Sequence, residues 1–452
     1  MDETQKLGTE KIYKLLLKYS IPSIVGMLIN AIYNIVDRIF IGQSPDLGSV
    51  GIGALTITFP IYVVIMGIAL LFGNGGSILF SIYLGKKEEE NAKKMLGNST
   101  SFIILSSFVL TIIGLIFLDP ILRLFGAEDV LLDYSKQYIL VILLGAIFQS
   151  LALGLNSFIR ADGHPKTSMV TMLLGAIINI ILDPIFIYAF RWGMAGAAIA
   201  TITGQFFSSL WVILHFKSKR CTYQIEAKYM KVDWETFKLI FTYGLSAFIV
   251  QVSSSFVNIV LNKALVQYGG DIAISAMGII NSISTLLVLP VLGLVQGAQP
   301  IISYNYGAGN KKRIMKTVKL SMIMATLIMI ACSIIANVFA HPLISIFNHE
   351  TELIDFTTYA IRIYFLAVPV VGIQIVGANY FQAVGKYKVS VLLNLSRQIL
   401  ILVPLILLCS YFWQINGTLY ACPISDFLAF VLTISCFLFE YFKYYRNEKN
   451  AS

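Results

Sequence analysis

Charge is what this sequence has least of. Only 13% of its 452 residues are Asp, Glu, Lys or Arg, against about 25% in an ordinary soluble domain, which excludes a water-soluble globule. A nucleic-acid partner is excluded with it. The net charge of +9 sits in short segments between apolar runs, not on a basic polar face, and membrane topology explains that pattern. Histidine is scarce too. His164, His215, His341 and His349 fall at loops or span ends with no ligand spacing, so no metal site is expected. The five cysteines include no CxxC and form no even framework, which predicts free thiols. No nucleophile–base constellation stands out, so neither an enzyme nor a cofactor beyond a coupling ion is expected. A cleavable leader is not expected either, since residues 1–14 are polar and the first apolar run is long enough to span.

What is abundant is hydrophobic sequence, 57% of the chain, in runs of helical length. The runs lie near 15–42, 52–84, 96–118, 132–159, 166–190, 194–216, 236–267, 272–305, 316–339, 357–383, 388–412 and 416–442. The expected fold is an all-α membrane protein of twelve transmembrane helices. Lys and Arg mark the orientation. One set of loops carries Lys86, Lys87, Lys93, Lys94, Arg160, Lys228, Lys231, Lys311, Lys312 and Arg313, and both tails are basic. The other side holds only Arg38, Arg123, Lys136, Arg191, Lys263 and Arg362. Both termini are therefore expected on the cytoplasmic side.

The two halves of the chain are copies. Ala54 to Gly85 lines up with Ala276 to Gly307, pairing Gly75 with Gly297. At the same shift Asp119-Pro120 meets His341-Pro342 and Asp133 meets Asp355; Pro184 then meets Pro404 with slight drift. So many matches in order make a repeat. Six spans is an even number, so the repeats run parallel, as two pseudo-symmetric six-helix lobes. The expected division is 1–218, a connector at 219–235, and 236–452. Two such lobes can rock about a central cavity, the architecture of a transporter working as a monomer.

Chemistry is expected where the copies differ. Asn179 and Asp183 are four residues apart and share a helix face. Pro184 follows, lacks an N–H and loosens the helix there. An ionisable group in hydrocarbon costs about 3 kcal/mol or more, so Asp183 is expected to face a bundle interior. In the second lobe its counterpart is apolar, near Val403, and Asp37 likewise gives way to Ile259. Counting at 1.5 Å per residue puts Asp37 and Asp183 at similar depth in the outer half of the first lobe. Two close carboxylates favour taking up a proton, or a sodium ion if enough oxygens converge. The plainer readings are an interfacial Asp37 beside Arg38, and an Asp183 that caps a helix restarted by Pro184. Tyr138 and Thr201 are polar groups that could complete the site. Gly73-Asn74-Gly75-Gly76 lacks a P-loop lysine and reads as close helix packing. Arg397 and Asp426, in spans eleven and twelve, fall within about one helical turn in depth and read as an ion pair, structural or substrate-coupled.

The segments Tyr33-Asn34-Ile35-Val36-Asp37-Arg38-Ile39-Phe40-Ile41-Gly42, Asn179-Ile180-Ile181-Leu182-Asp183-Pro184 and Trp192-Gly193-Met194-Ala195-Gly196-Ala197-Ala198, within two six-span repeats, resemble the multidrug and toxic compound extrusion (MATE) family. The likeness is strongest to its bacterial DinF and MepA-like branch. It implies an antiporter exchanging protons or sodium ions for amphipathic, often cationic drugs. It also implies a first-lobe cation site built from Asp37, Tyr138, Asn179, Asp183 and Thr201. The acidic residues that other members carry in the middle of spans seven and ten are missing, since this chain has only Glu235 and Asp355 near there. The alternative is a flippase for lipids or lipid-linked precursors from the same wider superfamily. That would want a cationic cavity, to which only Arg397 offers deep positive charge. Membrane lipid and small amphipathic molecules are the expected partners.

Overall fold

Hydrocarbon offers no water to a bare N–H or C=O, so apolar runs of this length hold together only as helices. The computed structural model describes residues 3–218, 221–347 and 350–451, and among these every regular segment is helical. The first two residues of the expected connector, and His349, lie outside the described residues.

Among the described residues nine helices are long and apolar enough to cross a bilayer. Two further crossings are bent pairs, Val130–Leu144 with Ala146–Ala161 at 54° and Thr351–Tyr364 with Val368–Ala383 at 51°. The stretch Tyr387–Phe442 is itself two crossings, because the chain leaves helical geometry at Gln414 (φ 50°, ψ −131°). The twelve expected spans are all present. Their lengths differ from the apolar runs at the ends. Spans three and nine begin at Glu89 and Lys311, several residues early, because Glu and Lys are good helix formers once clear of lipid.

The bends in spans four and ten were not legible as apolar pattern. Span four breaks at Gly145, where a Cβ would lie 2.1 Å from Cδ1 of Ile202 in span six. Span ten breaks ahead of Pro369, which sits in the first turn of Val368–Ala383, the place a proline is tolerated. Spans seven and eight, Trp234–Gly270 and Ile272–Gly307, are separated at Gly270 (φ +64°, ψ −159°), a conformation open in practice only to glycine. Span seven starts on a side-chain cap. Asp233 accepts the Thr236 N–H at 3.1 Å and the Lys94 ammonium at 2.9 Å. The Thr236 hydroxyl and Lys94 hold this carboxyl well below the usual carboxylate range.

The chain divides into two compact units, Met1–Val252 with Ser303–Lys311, and Ser253–Ile302 with Lys312–Ser452. The first unit is built around span two, Gly48–Lys86, and its glycines explain why. A Cβ on Gly73 would meet the backbone of Gly154 at 2.5 Å; on Gly75, the carbonyl of Ile240 at 2.2 Å; on Gly76, the Ser99 hydroxyl at 1.9 Å. Four consecutive small or polar residues thus let spans four, seven and three all approach one turn of span two. A buried polar chain runs alongside. Arg160 donates to Ser157 and Ser168 at 3.0 Å each, and Ser157 donates to Asn74 Oδ1 at 3.0 Å. Arg160 is therefore not a loop charge as its sequence position suggests; it is 5% exposed. Ahead of span one, Glu3 accepts from Lys18 and Lys6, which together hold its carboxyl down to about 2.

The repeat is visible in the short helices as well. Leu118–Leu124 and Ala340–Ser345 carry the matched Asp119-Pro120 and His341-Pro342 in their first turns.

Candidate functional site

Span one, Ile12–Gln43, and the helix Pro165–Pro184 of span five each bring one acid inward, Asp37 at 8% exposure and Asp183 at 0%. The i,i+4 rule puts Asn179 on the Asp183 face, and its amide donates to Asp183 Oδ1 at 3.1 Å. The same amide lies 3.4 Å from Thr201 Oγ1 in span six, Gly193–Lys217. Thr201 in turn donates to the Ala197 carbonyl at 3.1 Å. The Asp37 and Asp183 carboxyls lie within hydrogen-bonding reach of each other, a contact that becomes a bond only when one of them carries a proton. Tyr138, from Asp129–Leu144 of span four, reaches Thr201 with its hydroxyl. All five residues singled out in the sequence meet in one place.

The site is short of donors. Asp37 Oδ1, Asp183 Oδ2 and Asn179 Oδ1 are buried without hydrogen-bond partners among the described residues. An unpartnered buried oxygen is costly, and two of these belong to carboxylates. The neighbouring core is apolar: Ile41, Ile139, Ile142, Ile187, Ala197 and Ala198 pack in one cluster with Tyr138. Such a pocket of oxygens without protons suits a small cation, either a proton shared between the acids or a dehydrated metal cation. The placement also answers the plainer readings of the sequence. Asp37 is buried rather than interfacial, and Asp183 sits on the last turn before Pro184 rather than capping a new helix, since the side chain makes no cap bond there.

Pro184 cannot donate to the Ile180 carbonyl, and the chain responds by widening, not by stopping. Ile185–Ala189 is a π-helical turn, the kind of local insertion that often marks a functional segment. The Tyr188 hydroxyl donates to the Phe40 carbonyl at 2.7 Å, fastening that turn to span one just beyond Asp37. Sequence reasoning missed two tyrosines. Tyr33, 5% exposed, lies one turn before Asp37, and its hydroxyl meets that of Tyr62 from span two. The i,i+4 spacing from Tyr33 to Asp37 was the available signal; nothing in sequence pointed to Tyr62.

In the second unit Arg397 Nε donates to Asp426 Oδ1 at 2.8 Å, and the Ser425 hydroxyl donates to the Arg397 carbonyl at 2.9 Å. Arg397 lies in a second π-helical turn, Ser396–Ile401. These bonds close the hairpin of spans eleven and twelve. The sequence left the pair open between a structural and a coupling role, and the Asp426 side chain at 15% exposure fits the structural one. Replacing Arg397 by Met alone should destabilise the protein by about 3–5 kcal/mol, by stranding a buried charge, while Arg397→Met with Asp426→Leu should recover most of the loss. Thermal unfolding in detergent reads this directly. Equal loss in the single and double variants would show that the pair does something besides pairing.

Two of the histidines dispersed along the chain come together in space. Asp162, His164 and His215 place one ligand atom each within 4.8 Å of one another. Spacing in sequence could not show this, because His215 arrives from a different span.

Compared with known proteins, the chain matches the MatE family in two stretches, 22–185 and 246–408. The two matches fall on the two repeats. The multidrug export protein MepA of Staphylococcus aureus is 28% identical over 417 residues, 92% of this chain and 91% of its own. Among solved structures, the MATE multidrug transporter DinF-BH, solved as a complex, is 35% identical, with a TM-score of 0.88 over 95% of this chain and 96% of that one. An outward-facing multidrug resistance MATE transporter of the MOP superfamily is 24% identical, with a TM-score of 0.91 over 98% of both chains.

Proposed function

The chain belongs to the MatE family of multidrug and toxic compound extrusion transporters, and on that footing we propose that it is a secondary active multidrug exporter. It exchanges protons, or sodium ions, for amphipathic and often cationic molecules by alternating access. It sits in the bacterial inner membrane as a monomer with both termini in the cytoplasm, an orientation that the Lys and Arg bias of its loops supports. The observation that carries the coupling role is the buried group of Asp37, Tyr138, Asn179, Asp183 and Thr201, with three oxygens lacking donors. A cation satisfies those oxygens and removes the repulsion between the acids. Its arrival draws spans one and five together through Asp37 and Asp183, and the π-helical turn after Pro184 is the compliant element that takes up the movement. The work is transport and not catalysis.

The relatives support the substrate class: MepA is a multidrug export protein, and DinF-BH is a multidrug transporter. The flippase reading needed a deep positive charge. Arg397, the candidate the sequence offered for it, is held by Asp426, so its charge is already neutralised.

The test is uptake of ethidium, a fluorescent organic cation, into proteoliposomes carrying the purified chain, with a proton gradient and a sodium gradient imposed separately. Accumulation driven by one of the two is expected and names the coupling ion. Absence of ethidium movement under both gradients, from protein that is folded and inserted, would overturn the export reading.

A further inference from the structure

The first unit carries a second group of ligand-bearing side chains, at the other end of span five from Asp183 and unused by the five-residue site. The turn between spans four and five presents Asp162, fully buried, and His164. The last turn of span six presents His215. His164 Nε2 lies 3.7 Å from Asp162 Oδ2, and the two imidazole rings stand 5.2 Å apart at 72°. One ligand atom from each residue falls within 4.8 Å of the others. The His215 Nε2 is buried and has no hydrogen-bond partner among the described residues.

We propose that Asp162, His164 and His215 bind a divalent transition metal of the zinc class. Two imidazoles and one carboxylate form a donor set that suits zinc and its neighbours, whereas magnesium and calcium want oxygen alone. Bonds of about 2.0–2.2 Å would bring the ligand atoms to roughly 3.5 Å from one another. The present spacing is within about an ångström of that. Asp162 is already oriented from outside, because the Thr222 N–H donates to its Oδ2 at 3.0 Å; such supporting bonds are usual around metal ligands. Cys221 stands beside the group, but its thiol is turned to the carbonyls of Ser218 and Phe216. Three protein ligands with water in the fourth position is therefore the set the geometry offers.

The metal would do something the apolar packing does not. It would tie the turn after span four to the end of span six, fixing the Lys/Arg-rich ends of spans four, five and six as one piece. Metal binding here is a brace or a regulatory input to the transporter, separate from the cation that drives it.

The experiment uses the full chain in detergent with no polyhistidine tag, stripped by chelator and titrated with Zn2+ against a chromophoric competitor. About one Zn2+ per chain and an upward shift of the melting temperature are expected, with millimolar Mg2+ giving neither. Co2+ in place of Zn2+ should give a visible absorption band from the low-symmetry N/O site. His215→Gln should lose the binding, the shift and the band, yet move ethidium at the metal-free wild-type rate. His164→Gln is an independent arm should His215→Gln prove unstable. Wild-type protein that retains no Zn2+, or binding undiminished in both histidine variants, would overturn the proposal. Binding, the melting shift and the Co2+ band do not depend on the export activity, so failure of the metal site and failure of the transport reading remain distinct.

Discussion

Asp183→Asn should bring gradient-driven ethidium uptake down to the leak rate, a fall of about 100-fold, with ethidium binding at equilibrium changed little. A ligand moves a two-state equilibrium only by its differential affinity for the states, and carrying a population from 1:99 to 99:1 takes about 5.5 kcal/mol. Asparagine keeps the shape of aspartate but cannot take up a proton and offers a cation no charge, so that source of bias disappears. Asp37→Asn should behave the same way, because in the proposed site one cation is shared between the two neighbouring carboxyls. For the same reason the double variant should be no worse than either single one. Misfolding is separable from uncoupling. The amide removes a buried unpaired carboxylate from apolar surroundings, so the melting temperature should stay level or rise. Initial rates in proteoliposomes, with unfolding measured on the same preparations, make the test. Transport at the wild-type rate in both variants would remove the site from consideration and turn attention to Arg397 and Asp426.

The second large effect is structural. A Cβ on Gly244 would lie 1.7 Å from the Leu71 carbonyl oxygen and 2.6 Å from its carbon. Those are backbone atoms and cannot swing aside, so Gly244→Val forces spans two and seven of the first unit apart. Overpacking a core with one or two methylenes costs about 1–3 kcal/mol, occasionally more; a clash with backbone belongs at the upper end, about 3 kcal/mol or beyond. The yield of folded protein in membranes should fall sharply, and what is recovered should melt well below wild type. Gly278→Ala is the control, since nothing lies within 4 Å of the added atom. It should be neutral, or slightly stabilising through helix propensity. A Gly244→Val protein that melts within about 1 °C of wild type would mean that spans two and seven do not approach as described.

The candidate site was legible to an unusual extent because membrane burial makes polar residues informative. A buried Asp in hydrocarbon is expensive enough that Asn179, Asp183 and the break at Pro184 point inward on hydropathy and spacing alone. Depth counting then put Asp37 level with Asp183, and the two do meet. Tyr62 was hidden because an aromatic residue in a span reads equally well as lipid-facing, packed or interfacial. Arg160 was misplaced because a cation beside a loop obeys the same rule whether its side chain turns out to water or in to serines. His164 and His215 could not be joined by spacing at all.

By itself the sequence determined the class, the twelve crossings and their duplication. Each of these follows from one-dimensional quantities: the length of apolar runs against bilayer thickness, and the shift that superposes the halves. Tertiary structure alone decided the bend at Gly145, the backbone contact of Gly244 with Leu71, the π-helical turns after Pro184 and around Arg397, and the meeting of Asp162 with His215. All of those depend on which helix face meets which neighbour and at what distance. Hydropathy carries no information about that, because in lipid an apolar side chain is equally at home against another helix and against an acyl chain.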